Sequence, residues 1–414
     1  VGLPLVKLFL EENFFVFGFD IDQQKIKKMR RGERYIKHIE FDYLKERIKR
    51  ERFIPTTDFK NLKETDAIII CVPTPLNKRK EPDLTAVINT AKAIAEHLRI
   101  GQLIILESTT YPGTTKDVVL PILKENGLKA EKDFYLCFSP EREDPGNKKF
   151  TTRNIPKVVG GIGKKSLDLG ALLYSQVVEK VVKVSSCEVA EATKMLENTF
   201  RAVNIALVNE LKIFFNKLGV DIWEVIGASS TKPFGFMPFY PGPGWGGHCI
   251  PIDPFYLVWK AKESGISLKF IELAGEVNTR MPHYVVGRIG RALQQQKKGF
   301  KGAKILILGV AYKKDIDDIR ESPALVIMDI LEGKGASVRY YDPYVPELIS
   351  QRHKRKMKSL KNLVQDVKEA DVVAIVTDHS NIDYCMVIRN SKFIVDTRNV
   401  IKGAGSLKNE LLKG

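Results

Sequence analysis

Ala67-Ile68-Ile69-Ile70-Cys71-Val72, with Pro73-Thr74-Pro75 behind it, decides the fold class. Six apolar residues in a row suit a strand covered on both faces, because a strand with one wet face alternates apolar and polar residues. Such a strand belongs to a parallel sheet with helices above and below it. The same look recurs at Gln102–Leu106, Asp133–Phe138, Lys157–Gly160 and Lys180–Val184, with helical patterns between several of them. Ligands of open parallel sheets bind outside the carboxyl ends of the strands. The expected site walls are therefore Pro73-Thr74-Pro75, the stretch Glu107–Gly113 and the charged loop Ser139–Asn147.

Upstream, Phe14-Phe-Val-Phe-Gly-Phe-Asp20 reads as a buried strand ending in a carboxylate, after a helical pattern that begins at Val1-Gly2-Leu3-Pro4-Leu5. A helix followed by a strand with an acidic tip is the second half of a dinucleotide-binding unit. Its first half, a strand and a Gly-x-Gly turn, would lie before residue 1, with Gly2 as the third glycine of the fingerprint. The expectation is a fragment that lacks that strand and its phosphate loop. A lone strand-end aspartate is often only a turn residue, so Asp20 gains weight from the strands that follow it.

At 414 residues, two or three domains are expected. With 44% hydrophobic and 28% charged residues the composition is that of a folded globular chain. No apolar run approaches the roughly 20 residues of a membrane-spanning helix. Cys71, Cys137, Cys187, Cys249 and Cys385 are odd in number and scattered. That argues against a disulfide framework or a zinc site, so no metal is expected, and for a reducing cytoplasm. The net charge of +16 suits nucleic acid, an anionic small substrate or a lysine-rich surface. Its densest cluster, His353–Lys358, reads as a loop or helix start without interleaved aromatics, which favours a solvated surface over a nucleic-acid groove.

From Ser185-Ser186 to Gly219, apolar residues fall at Val189, Leu196, Phe200, Val203, Leu207, Leu211, Phe214 and Leu218. This spacing predicts one helix of roughly 30 residues, about 45 Å long, bridging two domains and offering a face to a second subunit. Lys194 and Asn198 lie four apart on it, a pair that surface polarity would also explain. In the stretch Tyr240–Pro254, rich in glycine and proline, Cys249 follows the Gly246-Gly247 pair and Asp253 comes four residues later. A thiol on a glycine turn near a carboxylate suggests a covalent nucleophile; a buried thiol in a tight loop is the alternative. Another helical region runs through Ile271, Leu273 and Val277.

After Lys301-Gly302 the chain restarts. Lys304–Gly309 is a buried strand, Ser322-Pro323 caps a helix that Gly335 ends, and Val338–Asp342 is a strand with an acidic tip. Asp371–Thr377 repeats the look of the strand after Asp66, and Lys392–Asp396 that of Gln102–Glu107. The fold class is thus α/β, with two parallel-sheet domains joined by a helical middle. The expected divisions are 1–184, 185–298 and 299–414. Gly309–Asp315, with Lys313 and Lys314, replaces a glycine fingerprint in the second copy and suits an anion.

These motifs, in this order, resemble the UDP-glucose/GDP-mannose dehydrogenases. They are Pro73-Thr74-Pro75, Glu107-Ser-Thr-Thr-Tyr-Pro-Gly113, Ser139-Pro-Glu-Arg-Glu-Asp-Pro-Gly-Asn147, Lys194-x-x-x-Asn198, Gly246-Gly-His-Cys-x-Pro-x-Asp253, and Tyr312-Lys-Lys-Asp315 with Arg320-Glu-Ser. The third motif, together with Lys232-Pro-Phe-Gly-Phe236 and Tyr240-Pro-Gly-Pro-Gly244, is most similar to the bacterial UDP-N-acetylglucosamine 6-dehydrogenases within that family. The resemblance implies a Rossmann domain for NAD, a helical dimer domain and a Rossmann-like domain for the UDP-sugar. It implies oxidation of a sugar C6 alcohol to a carboxylate with two NAD⁺, a product for polysaccharide biosynthesis, and a homodimer or higher homo-oligomer.

What the resemblance implies for single residues follows from that chemistry. Two oxidations with a reactive aldehyde between them call for a thiol that holds it as a thiohemiacetal and then a thioester. By resemblance that thiol is Cys249. Lys194 and Asn198 would donate to the substrate oxygen, stabilising alkoxide and oxyanion. Thr110 and Asp253 would position a water, and Glu141 would assist as a general base. Asp20 would accept from the adenosine ribose, with Gly2, Pro73, Thr74, Thr110 and Arg320 also at the cofactor. Glu141, Arg142, Lys194, Asn198, Tyr240, Gly246, Tyr312 and Lys313 would line the substrate. UDP-glucose, UDP-N-acetylmannosamine and GDP-mannose dehydrogenases share nearly every motif, and a non-catalytic nucleotide-binding protein or a basic nucleic-acid binder would be the readings from other classes.

Overall fold

The computed structural model describes residues 2–33, 41–77, 79, 81–144, 147, 149–247, 250–350, 352–401 and 410–413. The chain divides into two compact units, Val1–Glu197 and Asn198–Gly414.

The first unit opens with α1 (Gly2–Glu11), β1 (Val16–Phe19), α2 (Gln23–Arg31), α3 (Phe41–Lys49) and β2 (Phe53–Thr56). The strands β1 and β2 pair in parallel, Val16 opposite Phe53. Asp22 caps α2 by accepting from the amides of Gln24 and Lys25, and Gly32 ends it at a φ of 67° that only glycine takes cheaply. The second sheet holds β3 (Ala67–Ile70), β4 (Leu103–Leu106), β5 (Tyr135–Phe138), β6 (Lys157–Gly161) and β7 (Val181–Val184), side by side in that order. Between them lie α4 (Thr85–Ala95), a π turn (Thr115–Val119) running into α5 (Leu120–Leu123), and α6 (Lys164–Ser175).

The apolar strands are covered on both faces, as their composition requires. Ile104, Leu106, Leu136 and Phe138 pack with Val87 and Ala91 of α4. Leu103, Ile105 and Cys137, on the opposite face, pack with Leu5, Leu8 and Phe9 of α1 and Tyr174 of α6. Each of the Leu, Ile, Val and Phe side chains among them contributes about 1.5–3 kcal/mol relative to exposure. The pairing of β5 with β6 is antiparallel, an exception to the all-parallel sheet expected.

The helix expected across the middle is α7 (Cys187–Leu218), 32 residues long and continuous. The Ser186 hydroxyl accepts from the Val189 amide at its start. In the second unit follow α8 (Ile222–Ser229), capped by Asp221, α9 (Asp253–Glu263) and α10 (Lys269–Gln295). The remaining elements are β8 (Lys304–Leu308), α11 (Pro323–Gly333), β9 (Ser337–Tyr341), β10 (Glu347–Ser350), β11 (Arg355–Lys358), α12 (Leu363–Glu369), β12 (Val372–Ile375), α13 (Tyr384–Asn390), β13 (Phe393–Asp396) and β14 (Glu410–Lys413). The order β14-β13-β12-β8-β9 makes one wholly parallel sheet. One face packs Ile305, Ile307, Val372 and Ala374 on Val285 and Ile289 of α10 and Ile327 and Met328 of α11. The other face packs Leu306, Leu308, Val373 and Ile375 on Val367 and Val387.

Most of the basic cluster, Arg355–Lys358, is a strand, while His353 and Lys354 lie in the turn before it. Arg355–Lys358 pairs antiparallel with Glu347–Ser350, so its side chains alternate between the two sides. The inward one, Arg355, reaches Asp329 and Glu332 at 2.7 Å each. Partners distant in sequence, invisible to a local charge count, decide this segment.

Candidate active site

Within the first unit the expected residues gather at strand ends. Asp20 follows β1 and accepts from the Asp22 amide at 2.8 Å, while its second oxygen lies 3.4 Å from Lys25 Nζ. Its carboxylate is about one-third exposed, at 31%, and so accessible to a ribose hydroxyl. Gly2 opens α1, and a Cβ there would meet Cys71 only at 3.9 Å, an ordinary contact. The Thr74 hydroxyl donates to the Thr109 carbonyl at 2.7 Å, tying the exits of β3 and β4 together; Pro73 precedes it.

Thr110 is fully buried, and its Oγ1 has no hydrogen-bond partner among the described residues. The loop that carries it is held by Glu191 of α7. That carboxylate accepts from Gly113 N at 2.6 Å, Thr115 N at 2.8 Å and Thr115 Oγ1 at 2.7 Å. Burial pushes Glu191 up to about 7 against the pull of those hydrogen bonds. One turn further along α7, Lys194 Nζ donates to the Glu141 carbonyl at 2.5 Å. The Glu141 carboxylate accepts the amides of Arg142 and Glu143 on Oε1, both at 2.7 Å. Arg142, expected at the substrate, commits its guanidinium to Glu197 at 2.7 Å and to the Pro156 carbonyl at 2.7 Å.

In the second unit, Asn198 Nδ2 donates to Asp253 Oδ2 at 2.5 Å, and Asp253 is 1% exposed at the start of α9. The unsatisfied amides of a helix start favour a carboxylate there. The glycine stretch packs against the loop after β8. A Cβ on Gly246 would stand 2.7 Å from Tyr312 Cβ and 3.1 Å from the Glu321 carbonyl. Gly247, at a φ of 86°, donates its amide to the Arg320 carbonyl at 3.0 Å. Tyr240 is half exposed and stacks on Trp223 with centroids 5.5 Å apart. Arg320 makes a two-pronged pair with Asp318, and Lys313 follows Tyr312 in the same loop. Cys249, and His248 before it, lie outside the described residues.

Several further groups meet partners that the residue pattern does not name. Asp342 at the tip of β9 accepts the amides of Val310 and Ala311 at 2.7 and 3.0 Å, and contacts His379 Nε2 at 3.0 Å. A carboxylate thus sits on the amides after β8, where a phosphate loop would present them to a ligand. Lys212 of α7 is buried with no hydrogen-bond partner among the described residues, 5.9 Å over the Trp223 ring. Lys157 and Glu107 form a buried ion pair of 2.7 Å beneath Glu141. The available signal was a charged residue at the edge of an apolar run, Lys157 before Val158-Val159 and Glu107 after Ile105-Leu106. Among the described residues no group of three His, Cys, Asp or Glu could hold a metal ion, and no helix is long and apolar enough to cross a membrane.

Sequence comparison matches the three domains of one family along the chain. Residues 1–178 match the NAD binding domain of the UDP-glucose/GDP-mannose dehydrogenase family, 188–280 its central domain and 306–403 its UDP binding domain. The UDP-N-acetyl-D-glucosamine 6-dehydrogenase of Pseudomonas aeruginosa is 37% identical over 347 residues, covering 83% of this chain and 81% of that protein. The UDP-N-acetyl-D-mannosamine dehydrogenase of Pyrococcus horikoshii is 35% identical over 408 residues, covering 97% and 94%. A solved structure of the UDP-D-ManNAc dehydrogenase from Pyrococcus horikoshii superposes with a TM-score of 0.90 at 33% identity, covering 100% of this chain and 96% of that one. Fold and matches together define the class, an NAD-dependent oxidoreductase acting on a nucleotide sugar. The chain belongs to the UDP-glucose/GDP-mannose dehydrogenase family.

Proposed function

We propose that this enzyme oxidises the C6 alcohol of UDP-N-acetylglucosamine to the carboxylate, with Cys249 as the covalent nucleophile. The observation that carries the reading is the coupling of α7 to the residues the chemistry needs. Lys194 is bonded to the Glu141 carbonyl and Asn198 to the Asp253 carboxylate. NAD⁺, two equivalents in all, would supply the acceptor for the two hydrides when bound, and Asp20 would hold its adenosine ribose and repel a 2′-phosphate. Gly2, Pro73, Thr74, Thr110 and Arg320 complete the proposed cofactor set.

Loss of the alcohol proton leaves an alkoxide, which the Lys194 ammonium and the Asn198 amide stabilise. The aldehyde of the first oxidation adds the Cys249 sulfur, and the resulting thiohemiacetal is oxidised to a thioester. A free thiol has a pKa near 8.5, so a neighbouring base or charge must favour the thiolate (~8.5 is the unperturbed value). Water, placed by Thr110 and Asp253 and deprotonated by Glu141, releases the acid and returns the thiol. Arg142, Tyr240, Gly246, Tyr312 and Lys313 are the further proposed substrate contacts. The divisions 1–184, 185–298 and 299–414 are the proposed functional domains, and a reducing cytoplasm the proposed location.

Two measurements test this. Cys249→Ser should abolish release of acid while leaving the fold intact, and normal acid production by that variant would end the covalent mechanism. In a substrate panel followed by NADH absorbance, UDP-N-acetylglucosamine should exceed UDP-glucose by at least tenfold in kcat/KM, about 1.4 kcal/mol. The likeness to the Pyrococcus enzyme over nearly its whole length supports a second reading, UDP-N-acetylmannosamine. Faster turnover of that sugar in the same panel would replace the first.

A further inference from the structure

Glu141 stands on a buried charge system. Lys157, the first residue of β6, places Nζ 2.7 Å from Glu107 Oε1 and 3.8 Å from Glu141 Oε2. Its side chain is 5% exposed and that of Glu107 is wholly buried. Glu107 also accepts from the Tyr174 hydroxyl and lies 3.8 Å from the Cys71 thiol. On Glu141, Oε1 is held by two backbone amides, whereas Oε2 is buried without a hydrogen bond among the described residues. Two largely buried carboxylates therefore share one ammonium.

We propose that Lys157 is a positioning residue for the reaction: its ammonium keeps Glu141 ionised with Oε2 unbonded and able to take a proton, while Glu107 competes for the same charge. The inference rests on Glu141 acting as the base proposed above. Burial pushes both carboxyls up. Glu107 stays raised, but Lys157, the amides of Glu143 and Arg142, and Lys194 bring Glu141 below the ordinary carboxylate range. The other charged or titratable groups facing the pair are Arg142, paired with Glu197, Glu143 on the same loop, Cys71 and Tyr174. An opposite charge within ~4–6 Å lowers a carboxyl pKa by about 1–3 units, and a like charge raises it. Removing the ammonium leaves two buried carboxylates facing each other, one of which must hold a proton. Removing the Glu107 charge leaves the whole ammonium to Glu141.

The test compares wild type with Lys157→Met, Glu107→Gln and Lys157→Arg by two readouts. One is the ¹³C carboxyl shift of Glu141 against pH, assigned through Glu141→Gln; the other is the acid limb of kcat followed by NADH formation. The midpoint of Glu141 should rise by about 1–3 pH units in Lys157→Met, fall in Glu107→Gln, and return close to wild type in Lys157→Arg. A purely structural role would lower stability without moving the midpoint in opposite directions. Unmoved midpoints, or midpoints moved the same way in the Met and Gln variants, overturn the inference. If Lys157→Met does not fold, Glu107→Gln decides alone: a downward shift supports the inference and none refutes it. Carboxyl titrations that move as expected while the kcat limb stays fixed would establish the charge coupling but remove Glu141 as the base, and with it the part of Lys157 in the reaction.

Discussion

Lys212 shows how a single side chain can be set against the fold that contains it. Burial, with Arg398 and Arg288 nearby, lowers its pKa to about 7, and Asp396 and Asp221 counter only part of this. The unfolded chain keeps the ordinary value of 10.5, so between about 7 and 10.5 it holds a proton that the folded chain lacks. Stability therefore rises with pH across that window, and the full penalty falls below pH 7. Lys212→Met, which keeps the length and removes the charge, should stabilise the protein by roughly 2–5 kcal/mol at pH 6 and by much less at pH 10. Urea unfolding at the two pH values checks this, and a gain that does not shrink with pH would contradict it. Asn198 and Asp253 contrast with Lys212 because each meets the other's need, donor to acceptor, across 2.5 Å.

At the scale of elements, α7 matters more for what it holds than for its length. Glu191, Lys194 and Asn198 follow at three- and four-residue spacing, which brings them to one side of the helix. Glu191 grips the loop of Thr110, and Lys194 the loop of Glu141. The Glu191 carboxyl is raised by burial from 4.5 to about 7, so the folded chain keeps a proton there that the unfolded chain releases. Its contribution is present below pH 4.5 and lost as pH rises through about 7. Glu191→Gln lacks that titration, so its stability relative to wild type should improve between pH 5 and pH 8 by roughly 1–3 kcal/mol. A stability difference independent of pH would show the carboxyl to be ionised throughout.

At the scale of the whole molecule, the outward side of α7 carries Val189, Leu196, Phe200, Leu207, Phe214 and Leu218, all exposed. Their spacing draws an apolar stripe along the helix, and contiguous exposed apolar surface marks association. We infer that a second copy of the chain covers it. Replacing Leu196 and Leu207 together by Glu should weaken dimerisation by 100-fold or more, about 2.7 kcal/mol, read by analytical ultracentrifugation. An unchanged sedimentation coefficient at equal concentration would place the subunit contact elsewhere.

Much of the fold was legible in the residues because its signals are local. Continuous apolar runs located β3, β4, β5, β8 and β12, and the 3.6-residue period with Ser186 and Gly219 at its ends located α7. The family motifs likewise gave the order of the proposed site residues. Tertiary structure alone decided which partners meet. β2 pairs with β1, β6 runs against β5, and Arg355–Lys358 becomes a strand because Glu347–Ser350 lies beside it. The guanidinium of Arg142 meets Glu197, 55 residues away in the chain. The ammonium of Lys157 is placed between two carboxylates by β4 and β6, strands distant in sequence, and their meeting has no local signature. A sequence states periodicity and residue chemistry directly, whereas the field acting on a buried charge depends on distance and burial, which only the folded chain defines.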